Sequence, residues 1–229
     1  MTKRHSFLGL GTAALISFPS FAPVTLHAGQ PASATEAARG AAAGAPALVE
    51  VLGGTVSFDV TTNLPVLSVH GKSTGLLGRA RVRQGAGDVV LEQLEATVPV
   101  MSIGTGIGQR DEHMRKLVFT APDGRLPDLR LVSERSTCGT AGAGRETRCQ
   151  VSGQLSIRGA ARPFTIELKV KDDNGRFRAS GDTMVKLSSY GIERPSQLGV
   201  TTADEVTLHV EFTAGPCNGE LASAREGGN

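Results

Sequence analysis

The residues of this 229-residue chain that most resemble reaction machinery are Gly71, Lys72, Ser73, Thr74 and Gly75. They fit Gly-x-Ser-x-Gly, the pattern that exposes a nucleophilic serine on a sharp strand-to-helix turn. Such an elbow must be followed by a helix. Here the next residues alternate, with Arg79, Arg81 and Arg83 on one side and Ala80 and Val82 on the other, as a strand does. The same Gly-Lys-Ser fails as a phosphate loop, because the position that needs the first glycine is Val66. Gly104, Gly106 and Gly108 resemble a dinucleotide loop only in part, since the third required glycine is Gln109 and no βαβ unit follows.

Histidine and cysteine narrow the chemistry further. His70, His113 and His209 have no Cys, Asp or Glu at zinc-ligand spacing, so no metal and no cofactor are expected. His209 should point to solvent with Thr207 and Glu211, whereas His113 lies in a helical stretch and suits a polar anchor better than a general base. An esterase-like enzyme would have to bring Ser73, His113 and Tyr190 together, and nothing in their spacing does so. No catalytic residue is assigned. Cys138 and Cys149 flank a glycine-rich polar stretch that suits a hairpin tip, and a disulfide between them should contribute about 3 kcal/mol by loop closure. Cys217 is left over, either as a free thiol or as the bridge of a homodimer.

The elements that must carry these residues alternate with period two. Val56, Phe58 and Val60 oppose Thr55, Ser57 and Asp59; Leu94, Ala96, Val98 and Val100 oppose Gln93, Glu95 and Thr97. Val151, Leu155 and Ile157 repeat the pattern, as do Phe164, Ile166, Leu168 and Val170 before the turn at Asp172 to Gly175, and then Val206, Leu208, Val210 and Phe212. Weaker strands are expected at Val66–Val69, Leu76–Gln84, Leu129–Ser133 and Thr183–Leu187. Eight to ten strands, each with one wet face, predict an all-β, antiparallel barrel or sandwich. A single short amphipathic helix is expected over Gln109–Phe119, with Met114, Leu117 and Val118 on one face and the pairs Asp111–Arg115 and Glu112–Lys116 four residues apart.

The ends of the chain read differently. Lys3 and Arg4 followed by the apolar run Phe7–Phe18 form a signal peptide over residues 1–28, with cleavage near Ala28 and export to the periplasm. Without it the chain holds 22 basic and 22 acidic residues, so its charge gives no reason to expect nucleic acid, and no transmembrane segment remains. Residues 29–47, rich in Ala, Gly and Pro, read as a flexible tether, 48–214 as one domain and 215–229 as a disordered tail.

Arg110, Asp111, Glu112, His113 and Met114, followed by Leu126, Pro127, Asp128 and Leu129, resemble the Arg-Asp-x-His-Leu block of the YceI-like family. The run from Val151 to Gly159 that ends in Arg162 and Pro163 is similar to that family's strand and turn, and Tyr190-Gly191-Ile192 and Asp204-Glu205-Val206 match two further positions. The chain departs from the pattern at Val118, where a second Phe is usual, and at Ser188 and Ser189 before Tyr190. The resemblance implies a lipocalin-like antiparallel barrel whose lumen holds a polyisoprenoid or quinone-like lipid. It implies a carrier rather than an enzyme.

Small inward residues agree with an open lumen: of eight Phe, three lie in the leader, and the chain has one Tyr and no Trp. The residues expected to line it are Phe58, Val60, Met114, Leu117, Phe119, Leu155, Ile157, Phe164, Ile166, Tyr190, Leu208 and Phe212. Arg110, Asp111 and His113 are expected to orient the helix as a lid. The alternative is a barrel filled by its own side chains that serves as an interaction module of the cell envelope.

Overall fold

A computed structural model describes residues 46–84, 89–134, 136–139, 146–173 and 175–217. The expected signal peptide, the expected tether up to residue 45 and the expected tail from residue 218 fall outside the described residues.

Strand β1 (Ala47–Thr61) is long enough to meet three partners. Its start pairs with β3 (Leu77–Gln84), its end with β2 (Ser68–Ser73), and its other edge with β12 (Glu205–Pro216). From β3 the antiparallel ladder continues through β4 (Val89–Val98), β5 (Leu129–Ser133), β7 (Glu146–Ile157), β8 (Ala160–Asp173) and β9 (Arg176–Lys186) to β12. The β12–β1 pairing then closes eight strands into a barrel, and short β6 (Ser136–Cys138) fills a gap between β4 and β7. Closure removes the edges that alternating strands would otherwise expose.

The expected alternation therefore produces the expected barrel, with local differences. Val100 belongs to a tight helical turn, Val100–Ser102, and is fully buried there. Val66 sits in the turn before β2, and Leu187 opens a second tight turn, Leu187–Tyr190, after β9. Ala47 and the pair Gly215 and Pro216, read from composition as tether and tail, are strand residues because the β1–β12 and β1–β3 ladders reach them.

Several motif residues have plain structural jobs. Arg158 (φ 56°) and Gly159 (φ 81°) form the two-residue turn between β7 and β8, a conformation that matches the twist of a hairpin. Arg162 donates through Nε to the Ser189 carbonyl (2.7 Å), tying β8 to the Leu187–Tyr190 turn. Asp204 holds the same turn, accepting from Ser188 N (2.8 Å) and Ser188 Oγ (2.6 Å). Gly153 lies so close to β5 that a Cβ would strike the Val132 carbonyl.

The helical segment comprises α1 (Gly108–Met114) and one wider turn, Arg115–Phe119, closed by Thr120 N donating to Arg115 O (2.9 Å). The two expected intrahelical ion pairs are absent among the described residues. Asp111 instead uses its carboxylate on the loop before the helix.

Two apolar clusters fill the two ends of the barrel. One gathers Val60, Val98, Val100, Phe119, Ile157, Val185, Leu187 and Val206 beneath the helical segment. The other centres on Val151, Ile166 and Leu168 beside the Cys138–Cys149 disulfide. The disulfide read from the sequence is thus formed, between residues directly opposite one another on β6 and β7.

Candidate functional site

A cavity of about 450 Å³ opens at the end of the barrel that carries the helical segment. Its wall is the inward face of strand ends: Val56, Phe58 and Val60 of β1, Val98 of β4, Leu129 of β5, Ile157 of β7, Val185 of β9, and Val206 and Leu208 of β12. Met114, Leu117, Val118 and Phe119 cover one side of it. A small hairpin, β10 (Ser196–Gln197) and β11 (Val200–Thr201), covers another with Pro195, Leu198 and Val200. The barrel-strand part of the lining is mostly aliphatic because period-two alternation turns most polar strand residues outward, with Ser73 of β2 an exception.

Polar groups gather where the helix, the preceding loop and the hairpin converge. Thr105 is the hub: Asp111 Oδ1 accepts from its N (2.7 Å) and Oγ1 (2.5 Å), while Arg110 donates to its Oγ1 (2.8 Å) and carbonyl (3.2 Å). The Thr105 hydroxyl is the main reason that the Asp111 carboxyl is held below its ordinary value. The Nδ1–H of His113 donates to Oε1 of Gln197 (2.8 Å), so helix and hairpin are latched across the cavity. Arg110 and Asp111 thus grip the loop rather than each other, and His113 is an anchor.

Seven of the twelve residues expected in the lumen line this cavity: Phe58, Val60, Met114, Leu117, Phe119, Ile157 and Leu208. The other five do not. Ile166 packs in the disulfide cluster at the opposite end, Phe164 and Phe212 pack against both clusters, and Leu155 and Tyr190 are buried in the near cluster; none of the five lines the cavity. Alternation tells inside from outside but gives no height along the barrel axis, and this cavity lies at one end. Burial pushes the Tyr190 hydroxyl above its ordinary value. Residues that the sequence did not single out include Val98, Leu129 and Val185, which lie on dry strand faces, and Thr105, Gln197 and Leu198, whose loops carry no periodic signal.

The serine reading finds no catalytic geometry. Ser73 ends β2, buried, with its Oγ 2.6 Å from Ser102 Oγ and accepting from Gly75 N (3.0 Å). It touches the cavity, as His113 does, yet His113 is bonded to Gln197, and Tyr190 lies elsewhere.

The outer face carries a row of four titratable groups. His70 and Asp59, opposite one another on β2 and β1, are hydrogen-bonded. His209 on β12 bonds Asp59 through Nε2 (2.8 Å) and Asp182 of β9 through Nδ1 (2.6 Å). His209 therefore sits on the outer face as its strand position requires, but engaged by two carboxylates. The hydrogen bond to Asp182 chiefly holds it above its ordinary value of 6.5, and the bond from His70 chiefly holds Asp59 below its ordinary 3.8. Among the described residues no three His, Cys, Asp or Glu are grouped to hold a metal, and no helix is long and apolar enough to cross a membrane.

Comparison with known proteins agrees with this architecture. A polyisoprenoid-binding domain from Saccharophagus degradans, implicated in plant cell wall breakdown, superposes with a TM-score of 0.56 at 13% identity, over 74% of this chain and 98% of that one. BcnA of Burkholderia cenocepacia superposes with a TM-score of 0.50 at 20% identity, over 70% and 95%. At these identities the likeness is one of fold. No curated protein sequence matches the chain. The YceI-like domain model matches residues 50–214, nearly all of the barrel from within β1 to within β12, and the chain belongs to that family.

Proposed function

We propose that this protein binds and carries one long apolar lipid of the isoprenoid type, a polyisoprenoid or quinone-like molecule, in the lumen of its barrel, and that it does so in the periplasm after export. The observation that carries the reading is the cavity itself. At roughly 15 Å³ per water on the same measure, 450 Å³ is room for about thirty waters, and its aliphatic wall offers them few partners. An apolar tail fills such a space at a gain of about 0.8 kcal/mol per methylene-sized group. The polyisoprenoid binding of the Saccharophagus degradans relative and the leader-like N-terminus support the lipid class and the location.

The role is binding rather than turnover. The cavity wall offers hydroxyls at Thr62, Ser73, Thr105 and Ser196 and an imidazole at His113, each engaged with another partner, and one buried hydroxyl without a partner, Thr202 Oγ1. Among the described residues no serine or threonine hydroxyl is hydrogen-bonded to His113. The solid-barrel alternative fits the disulfide end best, where Val151, Ile166 and Leu168 are buried together.

Mass spectrometry of an organic extract of the protein, purified from a bacterial periplasm beside an unrelated exported β-protein, tests the proposal. Near-stoichiometric enrichment of an isoprenoid is expected. A clean extract from well-folded protein would overturn it.

A further inference from the structure

The two most exposed large aliphatic side chains among the described residues, Val66 (99%) and Leu198 (96%), stand on neighbouring turns at the cavity mouth. Surface turns ordinarily use Gly, Asn, Asp or Ser, each for a backbone reason. The first turn is Leu64-Pro65-Val66-Leu67, all four exposed, and Leu67 N donates to Leu64 O (3.0 Å) to close it. Thr62 Oγ1 braces it by accepting from Leu64 N (3.1 Å) and donating to Leu67 O (2.9 Å). The second turn places Leu198 at φ 51°, a left-handed conformation that a leucine adopts at a cost and an asparagine adopts readily.

These turns form one platform. Asn63 donates from Nδ2 to Gly199 O (3.0 Å), accepts at Oδ1 from Thr201 N (2.9 Å), and donates its backbone N–H to Thr201 O (2.9 Å). Leu67 and Leu198 also line the cavity, so the exposed patch and the lumen share residues. The charged residues beside it are Glu193, Asp204 and Arg194, which form no basic cluster.

We infer that this platform inserts into the surface of a phospholipid bilayer and sets the cavity mouth against the phase from which its lipid enters. The inference rests on the carrier reading, because a long apolar lipid moves between an aliphatic lumen and a bilayer with little passage through water. The exposed tips are aliphatic, Leu64, Val66, Leu67 and Leu198, and carry none of the aromatic side chains in which protein interfaces are enriched, which favours a lipid surface over a protein partner. Without a basic cluster beside the patch, the association is driven by apolar insertion rather than by attraction to anionic headgroups, and salt should not weaken it.

The test is flotation of the purified protein with vesicles of phosphatidylethanolamine and phosphatidylglycerol. Leu64→Ser/Val66→Ser, at residues outside the cavity lining, should lower vesicle partitioning by about tenfold or more while leaving extracted lipid unchanged. Leu198→Asn should lower partitioning while the melting temperature holds or rises, an outcome that loss of folding cannot produce. Wild-type protein that does not float, or variants that float equally, would overturn the inference. So would light scattering that shows the double variant breaking a dimer with no vesicle binding, since the patch would then be covered by a second copy. Protein that carries lipid yet never floats refutes the docking alone, and protein that floats yet yields a clean extract refutes the carrier reading alone.

Discussion

Val185→Phe separates a hollow barrel from a filled one. Val185 lines the cavity from β9, directly opposite Val206 of β12. The substitution adds about four carbon atoms to the lumen, which displaces about four methylene-sized groups of cargo at roughly 0.8 kcal/mol each. The sum, about 3 kcal/mol, corresponds to roughly a hundredfold weaker binding. In lipid-free protein the added ring occupies empty space and should stabilise by about 0.5–2 kcal/mol, at about 2–4 °C per kcal/mol for a domain of this size. Val151→Phe, in the packed disulfide end where Val151 is 1% exposed, should instead lower stability by about 1–3 kcal/mol through overpacking. The assays are calorimetry of delipidated protein and titration with a fluorescent isoprenoid. If Val185→Phe melts several degrees lower and binds as the wild type does, the cavity is not the binding site and the reasoning fails.

Asp111→Ala removes the acceptor of two Thr105 hydrogen bonds and should cost about 1.5–3 kcal/mol, read as a lower melting temperature; a binding defect at unchanged melting temperature would contradict its structural assignment. His209→Gln tests the outer row. The raised value of His209 means that its stabilisation is full below pH 6.5 and is lost as pH rises through the folded value. The lowered value of Asp59 means that its share is present above pH 3.8 and is lost as pH falls through the folded value. The difference in melting temperature between wild type and variant should therefore be largest near pH 5–6 and shrink toward alkaline pH, and a pH-independent difference would refute the imidazolium assignment. Cys138→Ser/Cys149→Ser should lower stability by about 3 kcal/mol, seen in denaturant titration, and should leave lipid content intact because the bridge lies at the far end from the cavity.

The barrel was legible because alternation is a local rule. One face of each strand is dry wherever a sheet closes on itself, so the runs from Phe58 to Phe212 announced the strands without any knowledge of their order. The turn at Arg158-Gly159 was legible only through the resemblance to the family's strand and turn, whereas Cys138 and Cys149 announced a bridge by flanking a loop. The helix was legible in its apolar face, while its charged pairs were misassigned. Local spacing favoured Asp111–Arg115, but the Thr105 amide and hydroxyl offered Asp111 two short hydrogen bonds in place of one exposed ion pair.

The chain itself determined the strands, the inward faces, the bridge and the family resemblance, all of which depend on neighbours in sequence or on residue type. Only the tertiary structure decided where the barrel is hollow. Inward residues are alike from end to end, and whether Ile157 borders space or Ile166 borders another side chain depends on which strands meet at each height. It alone also brought Asn63 to Thr201, Gln197 to His113, and His209 to Asp59 and Asp182, contacts between residues far apart in the chain. The His209–Asp59 contact follows from closure of β12 on β1, a long-range event that no periodicity encodes, and His209–Asp182 from the pairing of β12 with β9.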